Sequence, residues 1–160
     1  MQYTGTSATN IVGSGAGVTY NNLSLIPAGT VVHTLGTAAS QSITVNGNMT
    51  IGTNNAAHAV DVNMATWDPD LILKGNLVMD VGAATFTKSD LGTSEITFSP
   101  TGTKTWSEAD STHQDLGIVV IGGGASTPRI NLSSDVKVTT LNVNSSHIFG
   151  HNGSNTLTIT

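Results

Sequence analysis

The fold class predicted for this 160-residue chain is all-β: a single-domain parallel β-solenoid of about six coils, with an antiparallel β-sandwich as the alternative. Three observations predict it. Short apolar pairs with period-two alternation recur about every 24 residues, and that alternation marks strands with one buried face. Turn formers of the same kind, Asn and Gly above all, return between the pairs. Helix-building stock is scarce: the chain holds two Glu (Glu95, Glu108) and one Arg (Arg129), while Thr, Ser, Asn and Gly number 25, 16, 14 and 18. Charged residues make up 9%, yet 38% is hydrophobic, so the composition is that of an ordered chain.

Taken in order, residues 1–17 are rich in Gly, Ser, Thr and Ala and read as an N-terminal arm or cap. The solenoid then spans 18–160. Its first pair is Leu23/Leu25, followed by the Pro27-Ala28-Gly29 turn. Ile43/Val45 and Met49/Ile51 flank the corner Asn46-Gly47-Asn48. Leu71/Leu73 and Leu77/Met79 flank Lys74-Gly75-Asn76 in the same way, and this is the clearest internal match. Val60/Val62 and Ala84/Phe86 form third segments. Ile96/Phe98 precede the Pro100-Thr101-Gly102 turn. Ile118/Val120, Ile130/Leu132, Val136/Val138 and Leu141/Val143 complete the expected core. The leading pairs, which start at Leu23, Ile43, Leu71, Ile96, Ile118 and Leu141, are unevenly spaced, and bulging loops at 53–58 and 107–114 absorb the irregularity. At the strand spacing of about 4.8 Å, six coils make a rod of about 29 Å. The chain closes on an alternating strand, Thr156-Leu157-Thr158-Ile159-Thr160, expected to be an open edge and hence an assembly junction.

Composition also excludes function classes. Net charge is −5, and the five cations (Lys74, Lys88, Lys104, Arg129, Lys137) are scattered singly. Phosphate neutralisation needs clustered cations, so no nucleic-acid partner is expected. No run of 18 apolar residues occurs, so no membrane insertion is expected. Cysteine is absent, which removes disulfide and thiolate chemistry.

Several stretches resemble the repeats of large bacterial surface proteins of adhesin type. They are Tyr20-Asn21-Asn22-Leu23-Ser24-Leu25, the two Gly-Asn-[Met/Leu]-x-[Ile/Met] units from Gly47 and Gly75, the segment 97–106, and the segment 129–143. The likeness covers roughly residues 18–160. It implies a parallel β-helix displayed outside the cell as stalk, adhesin or fibre. Such proteins are usually far longer and carry a signal peptide and an anchor, neither of which is recognised in this sequence. Fragment, mature filament subunit and phage tail or capsid protein, with a virion location, therefore stay open beside the extracellular or cell-surface reading.

Candidate chemistry is thin. Asp68-Pro69-Asp70 with Trp67 is the best carboxylate cluster and could serve acid–base work on a glycan, but Asp and Pro are equally ordinary turn residues. Trp67, Asp68, Asp70 and Trp106 are taken as glycan contacts. His147 and His151 would lie about 13 Å apart on a strand, too far for one metal. Gly122-Gly123-Gly124 lacks the Lys-Ser/Thr of a phosphate loop and reads as a corner. Thr-x-Thr pairs do not fall at one repeat position, so they do not form an ice-binding array. Five Asn-x-Ser/Thr sequons (Asn22, Asn48, Asn131, Asn144, Asn152) are near what composition gives. The expectation is a non-catalytic structural protein without cofactor or metal, whose partner is a further copy of itself stacked head to tail. The alternative is a surface segment that binds glycans.

Overall fold

The structure is a computed structural model and describes residues 1–11, 17–80, 83–89, 93–109, 113–123, 129–151 and 153–160. The described residues form strands and no helix. In chain order, the first coil carries β1 (Gln2–Tyr3), β2 (Thr9–Ile11) and β3 (Val18–Tyr20). The second carries β4 (Leu23–Leu25), β5 (Val31–Leu35) and β6 (Ser42–Val45), and the third β7 (Met49–Ile51), β8 (Val60–Asn63) and β9 (Asp70–Leu73). The fourth carries β10 (Leu77–Met79), β11 (Ala83–Thr87) and β12 (Ile96–Phe98). β13 (Thr103–Glu108) and β14 (Ile118–Ile121) belong to the fifth, and β15 (Arg129–Leu132), β16 (Val136–Val138) and β17 (Thr140–Val143) to the sixth. β18 (Ile148–His151) and β19 (Leu157–Ile159) lie on the last.

Each coil lays its strands on the strands of the coil before. The result is a parallel β-solenoid. One face is a seven-stranded sheet (β1-β4-β7-β10-β13-β15-β18) and another a six-stranded sheet (β17-β14-β12-β9-β6-β3). The remaining face is split into β11-β8-β5-β2 and β16-β19. At the split, Asp115 makes a lone bridge to Lys137. Of the expected N-terminal arm or cap, residues 1–11 join the stack: β1 pairs with β4 and β2 with β5, and they build the first coil with β3; residues 12–16 lie outside the described residues.

Short strands suffice here because each inward side chain is buried by its equivalents above and below. On the seven-stranded face Leu23, Met49, Leu77 and Trp106 stack in one column. On the six-stranded face Ile43, Leu71, Ile96, Val119 and Leu141 stack likewise. The short step from Leu23 to Ile43 therefore joins two different faces and is not a coil length. Most of the expected core is buried. Three residues differ. Ile118 is half-buried because Val119 and Ile121 point inward instead, pairing with Ile96 and Phe98. A run of four apolar residues has no alternation to read, and a one-residue slip exchanges the two faces. Leu141 is only partly buried and Val143 is 44% exposed, because β17 is the outer edge of its sheet and no coil covers it.

The corner between the six- and seven-stranded faces is short, with three residues between β6 and β7 and three between β9 and β10. Asn48 N–H donates to Asn22 Oδ1 (2.8 Å), Asn76 N–H to Asn48 Oδ1 (3.1 Å), and Thr105 N–H to Asn76 Oδ1 (2.9 Å). The asparagines thus form a ladder in which each side chain satisfies a backbone donor of the next coil. Three of the sequons, Asn22, Asn48 and Asn144, lie at these exposed corners; Asn131 is half-buried in β15, and Asn152 lies outside the described residues.

Candidate functional site: a corner groove and the terminal coil

The expected glycan contacts divide in two. Trp106 is wholly buried on β13 and stacks on Phe98, with ring centroids 5.5 Å apart and planes at 28°. It belongs to the core and cannot meet a ligand. Its neighbours Thr105 and Ser107 are half-exposed, so the alternation of β13 turns the indole inward.

Trp67, Asp68 and Asp70 do come together, in a groove of about 270 Å³ at the corner that leads into the six-stranded face. The groove crosses three coils. Ser40 and Ala39 line it from the second, the Trp67–Asp70 corner from the third, and Thr93 and Ser94 from the fourth. The stacking follows from register, since Ser42 pairs with Asp70 and Leu71 with Ile96. Sequence reasoning missed Ser40, Thr93 and Ser94. The signal was available: Ser40 precedes Asp68 by the same step that separates Gly47 from Gly75 in the two Gly-Asn corners.

The groove is held by specific contacts. Asp68 and Ser40 both take positive φ (46° and 57°), so the corner turns sharply in the same way in consecutive coils. Asp68 is buried; its Oδ1 accepts from Ser89 Oγ and its carbonyl from Ser94 Oγ. Its N–H donates to Met64 O (2.9 Å). Asp70 is exposed, while its N–H donates to Gln41 O (2.9 Å) and its Oδ1 accepts from Glu95 N–H (3.3 Å). The Trp67 side chain, half-buried, rests on Gly36, where a Cβ would lie 3.2 Å from Trp67 Cβ. Gly36 has φ +86° and is packed from above, so it fits glycine on both counts. One wall is thus an indole, and the rest offers carboxylates and hydroxyls.

The second candidate is the C-terminal end of the stack, formed by the last coil and by β17 of the sixth. β17, β18 and β19 are outer strands of their sheets. Val143, Ile148 and Ile159 are exposed there at 44%, 46% and 61%. Within the expected junction, Thr156, Thr158, Ile159 and Thr160 are exposed, and Leu157 is partly buried against the core. Thr160 is also tied inward: its N–H donates to Val138 O (3.0 Å) and its hydroxyl to Asp115 Oδ2 (3.2 Å).

Asp115 is the centre of a polar knot at the split in the third face. Lys88 Nζ donates to its Oδ2 and to Thr139 Oγ1, and Gly117 N–H donates to its Oδ1 (2.9 Å). Burial acts to raise its carboxyl pKa, but Lys88, the Gly117 N–H and Thr139 together outweigh that and hold it below the ordinary carboxylate value. His33 is the other perturbed group. It is 1% exposed on β5, its ring lies 5.8 Å from that of Tyr3, and neither ring nitrogen has a partner in hydrogen-bond geometry. Burial pushes its imidazole below the usual 6.5; the nearby Thr9 backbone opposes this without making a formed hydrogen bond.

Among the described residues no group of three or more His, Asp and Glu could hold a metal ion, and no helix is long and apolar enough to cross a membrane. Gly122 is a corner residue packed under Asn144, while Gly124 lies outside the described residues. No protein-family model, curated protein or solved structure matches the chain.

Proposed function

We propose that this chain is a non-catalytic structural protein, a β-solenoid unit of an extracellular or cell-surface fibre that grows by stacking one copy on the next. The observation that carries this reading is the C-terminal end of the stack, formed by the last coil and by β17 of the sixth. It offers a row of strand edges and three exposed apolar side chains, Val143, Ile148 and Ile159. The first coil offers the opposite edges of the two long sheets, on β1 and β3, and an edge of the split third face, on β2. Every strand pairing among the described residues is parallel, so a second copy stacked in the same direction continues both long sheets. Edges of this kind template further pairing unless they are covered, and a non-closing contact between unlike ends gives a filament.

The test is negative-stain electron microscopy of the chain at micromolar concentration and neutral pH. Thin uniform fibres are expected. An Ile148→Asp, Ile159→Asp variant is expected to remain folded by circular dichroism and to give only short particles. Leu157 is left intact because it packs on the core. Fibres that persist in this variant would place the junction elsewhere; single short particles from the unaltered chain would refute stacking.

The groove favours a second reading, a glycan-binding surface segment. One half-buried aromatic wall with hydroxyls and carboxylates around it is the composition that recognises sugar rings. Under this reading Trp67→Ala abolishes retention on immobilised polysaccharide while the chain keeps its β circular dichroism spectrum.

A further inference from the structure

The geometry points to a ligand class for the corner groove: a sugar chain without acid groups, amino sugars favoured, lying along the solenoid axis. This inference rests on the glycan-binding reading and goes beyond it by fixing charge, direction and length.

Direction follows from stacking. The lining residues come from three successive coils, and two strand spacings of about 4.8 Å put Ser40 and Thr93 about 10 Å apart along the axis. A ligand that touches both runs parallel to the rod. Length follows from size. A groove of about 270 Å³ falls just below the range for drug-sized ligands, so it encloses about two sugar units, and a longer chain extends beyond it.

Charge follows from the lining. Asp68 and Asp70 both face the groove, and none of its lining residues is basic. The neighbouring cation, Lys88, is engaged by Asp115 and Thr139 on the far side of the fourth coil. A uronate would bring a third carboxylate into a partly enclosed acidic space with no counter-charge, which is costly. A hydroxyl donates to these carboxylates without penalty, and an ammonium gains a charge-assisted hydrogen bond. Ser40, Thr93 and Ser94 can donate or accept, as a polyhydroxylated ring requires. Trp67, half-buried over Gly36, supplies the ring platform.

The experiment is isothermal titration calorimetry of the full chain with four probes: maltotriose, N-acetylchitotriose, deacetylated chitotriose and trigalacturonate. Deacetylated chitotriose is expected to bind best, the two neutral trimers more weakly, and trigalacturonate at least about tenfold more weakly than the neutral ones. Trp67→Ala is expected to abolish all binding. Asp70→Lys, an exposed position that spares the fold, is expected to invert the order of the charged probes. Trigalacturonate binding as well as the neutral trimers would overturn the charge inference and leave the glycan reading standing. Silence of all four probes would overturn both.

Discussion

Gly75 is the residue on which the tight corner turns. A Cβ there would lie 2.1 Å from the carbonyl oxygen of Gly47 and 2.3 Å from its carbonyl carbon, so the obstacle is backbone of the coil below. Gly47 in turn would meet Asn22 Oδ1 at 2.3 Å. The glycines let consecutive corners close to sheet spacing, and that spacing lets the asparagine ladder form. Gly75→Ala is therefore expected to destabilise the fold by about 3 kcal/mol, the upper part of the overpacking range, read by urea unfolding. The same change at Gly102, where nothing lies within 4 Å, costs only the strain of its φ of +88° and serves as the control.

At the scale of an element, β5 carries an imidazole into an apolar interior. His33 is flanked across strands by Thr9 and Val62, neither charged, and the titratable ring against it is the phenol of Tyr3 on β1. Its folded pKa lies below the unfolded one, so the unfolded chain binds the proton more readily. Stability is therefore complete above pH 6.5 and falls as pH drops below it, until the folded pKa is reached. Asp115 acts in a separate window, because its depressed carboxyl is lost as a stabiliser only below the ordinary value near 3.8. Urea midpoints measured from pH 8 to pH 5 are expected to decline for the parent and to stay flat for His33→Leu. An equal decline in both would assign the loss to other groups. This imidazole also marks the boundary of what a reader of the sequence could see. Strands such as Leu23–Leu25 or Val136–Val138 announce themselves by alternation, and the repeated Gly-Asn corner gives their register. Coil assignment was harder, because nothing in Leu23/Leu25 distinguishes one face from another. Half of the groove was legible from Trp67, Asp68 and Asp70. The hydroxyls of Ser40, Thr93 and Ser94 were not, since ordinary Ser and Thr gain meaning only when stacking sets them beside an indole.

At the scale of the whole molecule, the coil is the unit. Each coil meets chiefly its two neighbours, as in other stacked repeats, so stability is close to a sum over coils and their contacts. Met49 and Leu77 occupy one column, as do Ile43 and Leu71. Removing residues 49–76 thus takes out the third coil and brings β10 onto β4 in register. The shortened chain is expected to keep its parallel-β circular dichroism spectrum, unfold cooperatively at a lower midpoint, and lose the groove with Trp67. Collapse to an unfolded spectrum would show that the coils are not interchangeable.

The knot around Asp115 joins it to Lys88, Thr139 and Thr160, one residue from each of four consecutive coils. A rod of stacked coils pulled at its end should unravel like a zip, one layer after another, each yielding at a small force. Here the outermost layer is riveted through two more to the fourth coil. Tension applied at that end is shared among four layers until the Thr160 contact to Asp115 yields. In a fibre of the proposed kind, such a tie would slow fraying at that end.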